Sequence, residues 1–435
     1  MPYFKDIQQL AEQVSLWADL RHEQGANVSG EFKRISRDLE AARKRLAQVA
    51  NPHRDHEPNT LPAIRRLRPK GPRKIANPLH RADFTDRLRG AWLGRAAGCT
   101  LGVPVESWSV EDMEELAKLG KQSFPLKDYW ATHPKQGIVH HKVKRIKDYL
   151  RGNITEVPVD DDLGYTQLGL LILEKFGLNF TTAHVAEMWK KHIPLAWTAE
   201  EVTLRNLRAG VAPEKAGGID NPYQEWIGAD IRSDPWGYAC AGWPERAAEF
   251  AYRDAVLSHR GNGIYGAMFF AATIAAAFVV DDPVLAIKVG LTEIPQDCRL
   301  TQDIKWALRT APKLINFRDA RAAVEKRFNG MHHVHTNNNA CLTVFGLTIG
   351  KTDFTKVIGT CVAMGYDNDC TAATAGSIFG AVHGIRSIPE HWWKPFGNRA
   401  ATYLKGVQPF RNDEMVRRFA VLTKRVWNGA NRKGG

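Results

Sequence analysis

Residues 264–280 read IYGAMFFAATIAAAFVV, a stretch that would be apolar on every face of a helix and that is rich in small side chains. A helix of this kind belongs at the centre of a large helical domain, because none of its faces suits water. The stretch is slightly short for a membrane span, and Gly266 and Thr273 interrupt it before the chain reaches Asp281 and Asp282. We therefore predict a buried core helix and no association with membranes.

Residues 371–384, TAATAGSIFGAVHG, have the same character, and segments with helical periodicity fill most of the chain from Leu79 to Lys405. Strand-like alternation is scarce. The predicted helices are Asp86–Gly98, Leu163–Phe176, Pro244–Arg260, Ile264–Val280, Leu300–Leu314, Asn338–Ile349, Phe354–Met364 and Thr371–Gly384. The predicted fold class is all-α, a large multi-helix domain preceded by a helical hairpin and a linker.

The first 78 residues differ in composition from the rest. Apolar residues recur every three or four positions in residues 4–20 and again in residues 32–46, on either side of the turn-forming stretch GANVSG, so residues 1–48 predict a helical hairpin. The apolar stripe of this hairpin needs a partner, which is the main domain, a second copy of the chain or a foreign protein. Residues 49–78 are rich in Pro and Arg and predict a basic linker or extended strap, which leaves residues 79–435 as the large domain.

The composition of the 435 residues excludes several classes of protein. With 44% hydrophobic and 25% charged residues, the chain is neither disordered nor fibrous. The formal charge of +13 lies at the two ends: residues 1–80 have a net charge of +6, residues 401–435 another +6, and the middle 320 residues only +1. A groove for nucleic acid would place positive charge across the central domain, so this distribution disfavours a nucleic-acid partner.

Cysteine usage and the N-terminal residues bear on location. Six cysteines are scattered without a C-x-x-C pair, and the opening MPYFKDIQQLAEQ is charged early and lacks an apolar leader segment. Both features predict a cytoplasmic protein with reduced thiols.

Two acidic clusters carry the chemistry of the sequence. Asp160, Asp161 and Asp162 precede the apolar helix LGLLIL, and Asp367 and Asp369 precede the helix of small residues described above. Carboxylates at a helix start also stabilise the helix dipole, which is the alternative to a ligand role. Hard divalent cations such as Mg²⁺ take oxygen ligands, and two converging acidic helix starts would hold a pair of them.

With these clusters in view, the sequence resembles the ADP-ribosylglycohydrolase family. The opening pattern of that family, a glycine-rich helix leading to G-x-P-x-E, is matched by residues 90–106, its T-D-D motif by residues 160–162, and its central G-N-G by residues 261–263. The closing G-x-D-x-D, a helix of small residues and I-P are matched by residues 365–389. These matches follow one another in the family order between residues 87 and 389.

The resemblance implies an all-α hydrolase with two Mg²⁺ ions, Mn²⁺ being the alternative, that cleaves the bond at the anomeric carbon of ADP-ribose with a metal-positioned water. The implied ligands are the carboxylates of both clusters (Asp160, Asp161, Asp162, Asp367 and Asp369), and the implied catalytic residues are Glu106, Asp161 and Asp162. Glu106 is the candidate general base or water positioner, the alternative being an ordinary surface carboxylate.

Three positions depart from the family pattern. Asp160 and Cys370 stand where the family has threonine, and Cys99 stands where it has aspartate. A fifth aspartate either tightens metal binding or turns away from the ions. Because a thiol is a poor ligand for Mg²⁺, we expect the Thr371 hydroxyl or a water in place of Cys370.

The predicted substrate contacts lie before two helices. Gly261, Asn262 and Gly263 resemble a diphosphate-binding loop, with backbone N–H groups at a helix start. His259 beside this loop, and Asn338 and Asn339 before another helix, are candidates for contacts to the ribose or phosphates, the alternative for each being a helix cap.

Histidine and tryptophan clusters allow other interpretations. His332, His333 and His335 lack the spacing of a zinc site, so we do not predict one. Trp226, Trp236 and Trp243 either line an adenine pocket or belong to the core.

The sequence therefore predicts an ADP-ribosyl glycohydrolase acting on an N- or O-glycosidic bond in an ADP-ribosylated protein or an ADP-ribose derivative. The alternative is a binding protein of the immunity type on the same fold, which neutralises an ADP-ribosylating partner through its N-terminal extension.

Overall fold

The computed structural model describes residues 5–135 and 137–431, and almost all of its regular structure is helical. Within these ranges the helices are α1 Lys5–Glu23, α2 Ser29–Ala47, α3 Leu61–Leu67, α4 Phe84–Gly102, α5 Val110–Leu119, α6 Asp161–Phe176, α7 Thr182–His192, α8 Thr198–Arg208, α9 Pro213–Ala216, α10 Asp234–Ala239, α11 Pro244–Ala255, α12 Asn262–Ala277, α13 Pro283–Gly290, α14 Arg299–Thr310, α15 Phe317–Arg327, α16 Thr336–Gly350, α17 Phe354–Ala363, α18 Asn368–His383 and α19 Asn412–Asn431. The two short strands β1 Val139–His140 and β2 Lys144–Arg145 pair antiparallel. The predicted all-α class is confirmed.

The apolar helices occupy the centre of the domain, as their composition predicts. Every residue of α12 is buried, and so is every residue of α18 except His383. In the described part of the chain no helix is both long and apolar enough to cross a membrane. The helix at residues 264–280 is thus a core helix.

Helices α4 and α18 lie antiparallel with their backbones in direct contact. Glycines recur at every fourth position along one face of α4, and a Cβ added at Gly98 would lie 2.1 Å from the Ala372 carbonyl oxygen. At the other end of the pair, a Cβ at Gly380 would lie 2.1 Å from the Gly90 backbone. No larger side chain fits such an approach, and the contact brings Gly102, at the end of α4, against the backbone of Asp369.

The segment at residues 49–78 is bound to the large domain, and part of it is a packed helix. Ile64 in α3 is fully buried, and Arg68 and Arg73 both pair with the buried carboxylate of Glu293, at 2.6 and 2.8 Å. Glu57 is also buried and pairs with Arg299. Residues 49–78, called the strap below, thus contact the large domain and contain a helix that the Pro- and Arg-rich composition did not indicate.

Helices α1 and α2 correspond to the two helices of the predicted hairpin. Residues 1–4 of the hairpin lie outside the described residues. The large apolar side chains of the two helices remain exposed, namely Ile7, Leu10, Leu16, Trp17, Leu20, Phe32, Leu39 and Leu46. An exposed ion pair between Arg43 and Asp220 connects α2 to the domain. The domain of this chain therefore leaves the apolar stripe uncovered.

Candidate active site

The first acidic cluster is fixed by a helix cap. Asp160 has an extended backbone directly before α6, and its Oδ1 accepts a hydrogen bond of 2.8 Å from the Asp162 backbone N–H. Behind the cluster, the fully buried guanidinium of Arg95 donates to the backbone oxygen of Asp162 at 2.9 Å and pairs with Asp234 at 2.7 Å. Arg95 thereby holds the start of α6 against α4.

The second cluster follows a tight turn. Gly365 and Tyr366 both have positive φ, at +69° and +65°, and reverse the chain directly before Asp367. The Asn339 side-chain oxygen accepts a hydrogen bond of 3.2 Å from the Asp367 backbone N–H, and the Tyr366 backbone oxygen accepts one of 3.0 Å from Ser107. The turn is thus fastened to α16 and to the loop that carries Glu106.

These contacts bring the two clusters and Glu106 together. Carboxylate oxygens of Glu106, Asp367 and Asp369 lie within 4.8 Å of one another, and so do those of Asp160, Asp162 and Asp369. Asp369 belongs to both groups. The convergence expected from two distant stretches of sequence is present in the structure.

A lysine that we did not predict lies among these carboxylates. Lys144, at the start of β2, is 1% exposed, and its Nζ lies 2.7 Å from Asp160 Oδ2 and 3.0 Å from Asp161 Oδ1. The same nitrogen lies 3.7 Å from both Glu106 Oε2 and Asp369 Oδ2. Asp160, the aspartate that stands where the family has threonine, therefore faces a cation supplied by the chain itself.

Burial, mutual repulsion and the charge of Lys144 shift the pKa values of the acidic groups in different directions. Burial raises the pKa of Glu106 to about 7 and those of Asp160 and Asp369 to about 6, against the attraction of Lys144. Burial also opposes ionisation of Asp161, but the charge and hydrogen bond of Lys144 outweigh it and lower the pKa of that carboxyl. Four surrounding carboxylates raise the pKa of Lys144 well above its usual value despite its burial, so this lysine remains an ammonium.

A cavity of about 310 Å³ opens beside the carboxylates. Glu106, Asp161, Asp162, Asp367 and Asp369 form one part of its wall. Lys144 and Glu200 also line the cavity, and aromatic rings contribute a further part of its wall: Tyr165, Trp197, Trp226, His141, His332 and His333. Since the Trp226 and His332 rings stack with centroids 4.1 Å apart and an interplanar angle of 16°, the wall has a flat aromatic surface next to an acidic one.

Comparison with known proteins fits this geometry. A model of the family described as ADP-ribosylglycohydrolase matches residues 80–426. The chain belongs to that family. Membership supports a glycoside hydrolase acting on ADP-ribose.

The chain is also similar to a curated protein and to a solved structure. Over 325 residues the chain is 26% identical to an uncharacterized protein of Archaeoglobus fulgidus, an alignment that covers 72% of this chain and 92% of that protein. A solved structure described as an ADP-ribosylglycohydrolase-related protein complex superposes with a TM-score of 0.51 at 18% identity, covering 79% of this chain and 98% of its own. At that identity the likeness is evidence for the shared fold.

The donor set of the site fits a hard divalent cation. Every potential ligand in the two groups is a carboxylate oxygen, which is what Mg²⁺ and Mn²⁺ prefer. Cys370 is buried, and burial raises the pKa of its thiol well above the usual value, so it stays protonated. Thr371 is buried and donates to the Asn368 backbone oxygen, while Cys99 is a packed residue of α4.

The predicted diphosphate loop is not among the described lining of this cavity. The Gly261 N–H donates to the Asn59 side chain at 2.7 Å, and the Asn262 N–H donates to Glu225 at 3.2 Å. The Gly263 N–H donates to the Arg260 backbone oxygen. All three backbone N–H groups therefore donate to other parts of the same chain. Two of the acceptors, Asn59 and Glu225, lie far from the loop in sequence and were not predicted to contact it.

His259, Asn338 and Asn339 are all fully buried and contact other parts of the protein. His259 forms a hydrogen bond with Ser258, and burial lowers its pKa well below the usual value. Asn338 and Asn339 donate to the backbone oxygens of His332 and His333, at 2.8 and 2.7 Å. The two asparagines thus hold the cavity wall from behind.

Several lining residues escaped sequence reasoning. The signal for Lys144 was present in the surplus of aspartates, since five clustered carboxylates imply a nearby cation, but nothing in the sequence indicates which of sixty basic residues supplies it. For His332 and His333 the signal was the local clustering of imidazole rings, whereas Trp226 is one of the candidates named for an adenine pocket and does line the cavity. Trp236, by contrast, is a core residue.

Proposed function

We propose that the protein is a divalent-metal-dependent hydrolase that cleaves the bond at the anomeric carbon of ADP-ribose in an ADP-ribosylated protein or small molecule. The observation that carries this proposal is the meeting of Glu106 with the starts of α6 and α18 at an aromatic-lined cavity. Family membership supports the class of reaction, and the carboxylate donor set supports the dependence on a metal.

The ligands for the ion come from two groups. Glu106, Asp367 and Asp369 would hold one divalent ion, and the group of Asp160, Asp162 and Asp369 is the second candidate. When bound, such an ion supplies positive charge beside the ribose hydroxyls and lowers the pKa of a water molecule.

The residues of the chain supply the remaining parts of the reaction. Ribosyl bonds break through states with positive charge on the anomeric carbon, which a nearby carboxylate stabilises. Asp161 and Asp162 line the cavity, and we assign them this role. Glu106 lines the same wall, and we assign it the orientation of the attacking water and the acceptance of its proton.

The aromatic wall is suited to the nucleotide part of the substrate. A flat indole such as Trp226, stacked on His332, offers a surface for an adenine ring or a sugar face. A cavity of about 310 Å³ is at the lower end of small-molecule sites, so we expect it to enclose the reacting ribose and to leave the linked group outside.

The proposal is tested by replacing single ligand carboxylates with amides of nearly the same shape. Asp367→Asn and Asp369→Asn should each lower the Mg²⁺-dependent release of ADP-ribose by more than about 100-fold, because loss of groups that merely support ligands already costs 10–100-fold. Release is measured from arginine-, serine- and nucleic-acid-linked ADP-ribose, which also identifies the class of bond.

The matched control is Asp297→Asn, an exposed aspartate outside the cavity lining. This variant should keep the rate of the unaltered protein. Full activity of Asp369→Asn, or activity that persists in excess chelator, would contradict the metal-dependent mechanism.

A further inference from the structure

The buried ammonium of Lys144 lies between the two acidic clusters. It contacts Asp160 and Asp161 at hydrogen-bond distance and lies 3.7 Å from Asp369, the residue common to both ligand groups. We propose that Lys144 permanently takes the place of one divalent cation, so that the centre binds a single ion, held by Glu106, Asp367 and Asp369. This inference rests on the metal centre of the proposed function.

The carboxylates of Asp160, Asp162 and Asp369 already contact cations and hydrogen-bond donors of the chain. Asp160 Oδ1 accepts the Asp162 N–H, and Asp160 Oδ2 lies 2.7 Å from Lys144 Nζ. On the other side of the group, Arg95 lies 3.4 Å from Asp162 Oδ1. A divalent ion at this group would have to displace Lys144 or share its ligands with two positive side chains.

The group of Glu106, Asp367 and Asp369 is different. Lys144 lies 3.7 Å from Glu106 and Asp369, which is beyond ordinary hydrogen-bond distance and leaves room for closer contacts to an ion. All three carboxylates also line the cavity, whereas Asp160 is not among the described lining residues. Lys144 lines the cavity as well, so an ion at this group would face the substrate with the ammonium beside it.

Burial makes the position of Lys144 a fixed one. The side chain is 1% exposed, and a buried ammonium that left its carboxylates would lose contacts that water could not replace. Its strand is short, but the turn residues His141 and Lys142, both with positive φ, direct β2 back toward the clusters. The lysine thus belongs to the centre as a resident cation.

Counting bound ions tests the inference with the full chain and with Mn²⁺ as the probe. Isothermal titration should give one Mn²⁺ per unaltered chain, and electron paramagnetic resonance should show an isolated ion without exchange coupling. For Lys144→Met we expect two Mn²⁺ per chain and an exchange-coupled spectrum. The control Lys147→Met changes an exposed lysine of the same segment and should keep one ion.

Two Mn²⁺ in the unaltered protein, or one in Lys144→Met, would overturn the inference. Thermal unfolding adds a second readout: Mn²⁺ should raise the melting temperature of Lys144→Met more than that of the unaltered chain. If Lys144→Met does not fold, the count in the unaltered protein decides alone.

The two proposals fail in different ways. Two bound ions together with metal-dependent release of ADP-ribose overturn only the single-ion centre. Absence of any bound ion together with absence of release overturns the proposed function as well.

Discussion

At the scale of single residues, the geometry of the site depends on a few buried polar groups that do not themselves bind substrate. Arg95 connects three helices: it lies on α4, donates to the start of α6 and pairs with Asp234 on α10. Asn339 plays a similar part for the turn before Asp367. Such groups set where the carboxylates point, so their loss should be felt both in stability and in metal binding.

We expect Arg95→Met to lower the free energy of unfolding by about 3–5 kcal/mol, because it leaves the buried Asp162 and Asp234 carboxylates without their cation. Urea denaturation measures the loss, and Mn²⁺ titration should show weaker binding. The control is Arg89→Met, an exposed arginine on the same helix that contacts the Trp393 ring, with an expected change below about 1 kcal/mol. Equal losses in the two variants would show that Arg95 is not a connecting residue.

At the scale of helices and segments, two contacts hold distant parts of the chain together: the glycine-lined pair of α4 and α18, and the strap on α12 and α14. The first places Glu106 beside Asp369. The second holds the start of α12, since Asn59 accepts the Gly261 N–H and Glu57 pairs with Arg299. Neither contact could be derived from periodicity, because both depend on which helices are neighbours.

Gly98→Ala should lower the free energy of unfolding by about 1–3 kcal/mol, since the added methyl would lie 2.1 Å from a carbonyl oxygen that can move only with α18. The control Gly429→Ala has only an ordinary contact at 3.7 Å in α19 and should be neutral or stabilising. Thermal or urea unfolding of both variants decides. A stabilised Gly98→Ala would mean that the two helices are not in backbone contact.

The charge network next to the strap should make stability depend on pH. Burial opposes ionisation of Glu225, but hydrogen bonds and charges from His335, Arg299 and Asn262 outweigh it and hold the pKa of Glu225 at about 2. A lowered folded-state pKa gives stability that is fully present above the usual value of about 4.5 and is lost as pH falls toward 2.

We therefore expect Glu225→Gln to cost about 2–3 kcal/mol at pH 6 and less than half of that at pH 3. Denaturation at the two pH values provides the measurement, and the exposed Glu214→Gln should differ from the unaltered chain at neither. A cost for Glu225→Gln that stays constant with pH would contradict the assigned network.

At the scale of the whole molecule, the chain consists of a large domain, a strap bound to it and a hairpin that leaves its apolar stripe exposed. The division predicted at residues 48 and 78 from composition stays a prediction, but the structure distinguishes the two N-terminal pieces by their contacts. The strap is held by buried ion pairs of Glu57 and Glu293, whereas the described link of the hairpin is the exposed pair of Arg43 and Asp220.

Deletion of residues 2–48 should therefore leave metal-dependent hydrolysis of a small ADP-ribose derivative and the melting temperature nearly unchanged. Deletion of residues 2–78 should cost on the order of 3–5 kcal/mol or more, since the buried Glu293 loses Arg68 and Arg73, Arg299 loses Glu57, and Ile64 leaves the core. Comparing the two truncations by calorimetry and by rate measures the difference. Equal behaviour would mean that the strap contributes no more than the hairpin.

The sequence by itself determined the helical class, the central apolar helices and the two acidic clusters, because these depend on local periodicity and on which side chains can lie in a core. It also contained the surplus aspartate at position 160. Only the tertiary structure decided that Lys144 faces that aspartate, that Trp226 and His332 line the cavity, and that the N–H groups of residues 261–263 bind the chain itself. The physical reason is that a contact between residues far apart in sequence depends on which helices pack together and how closely they approach. Local sequence patterns do not specify these distances.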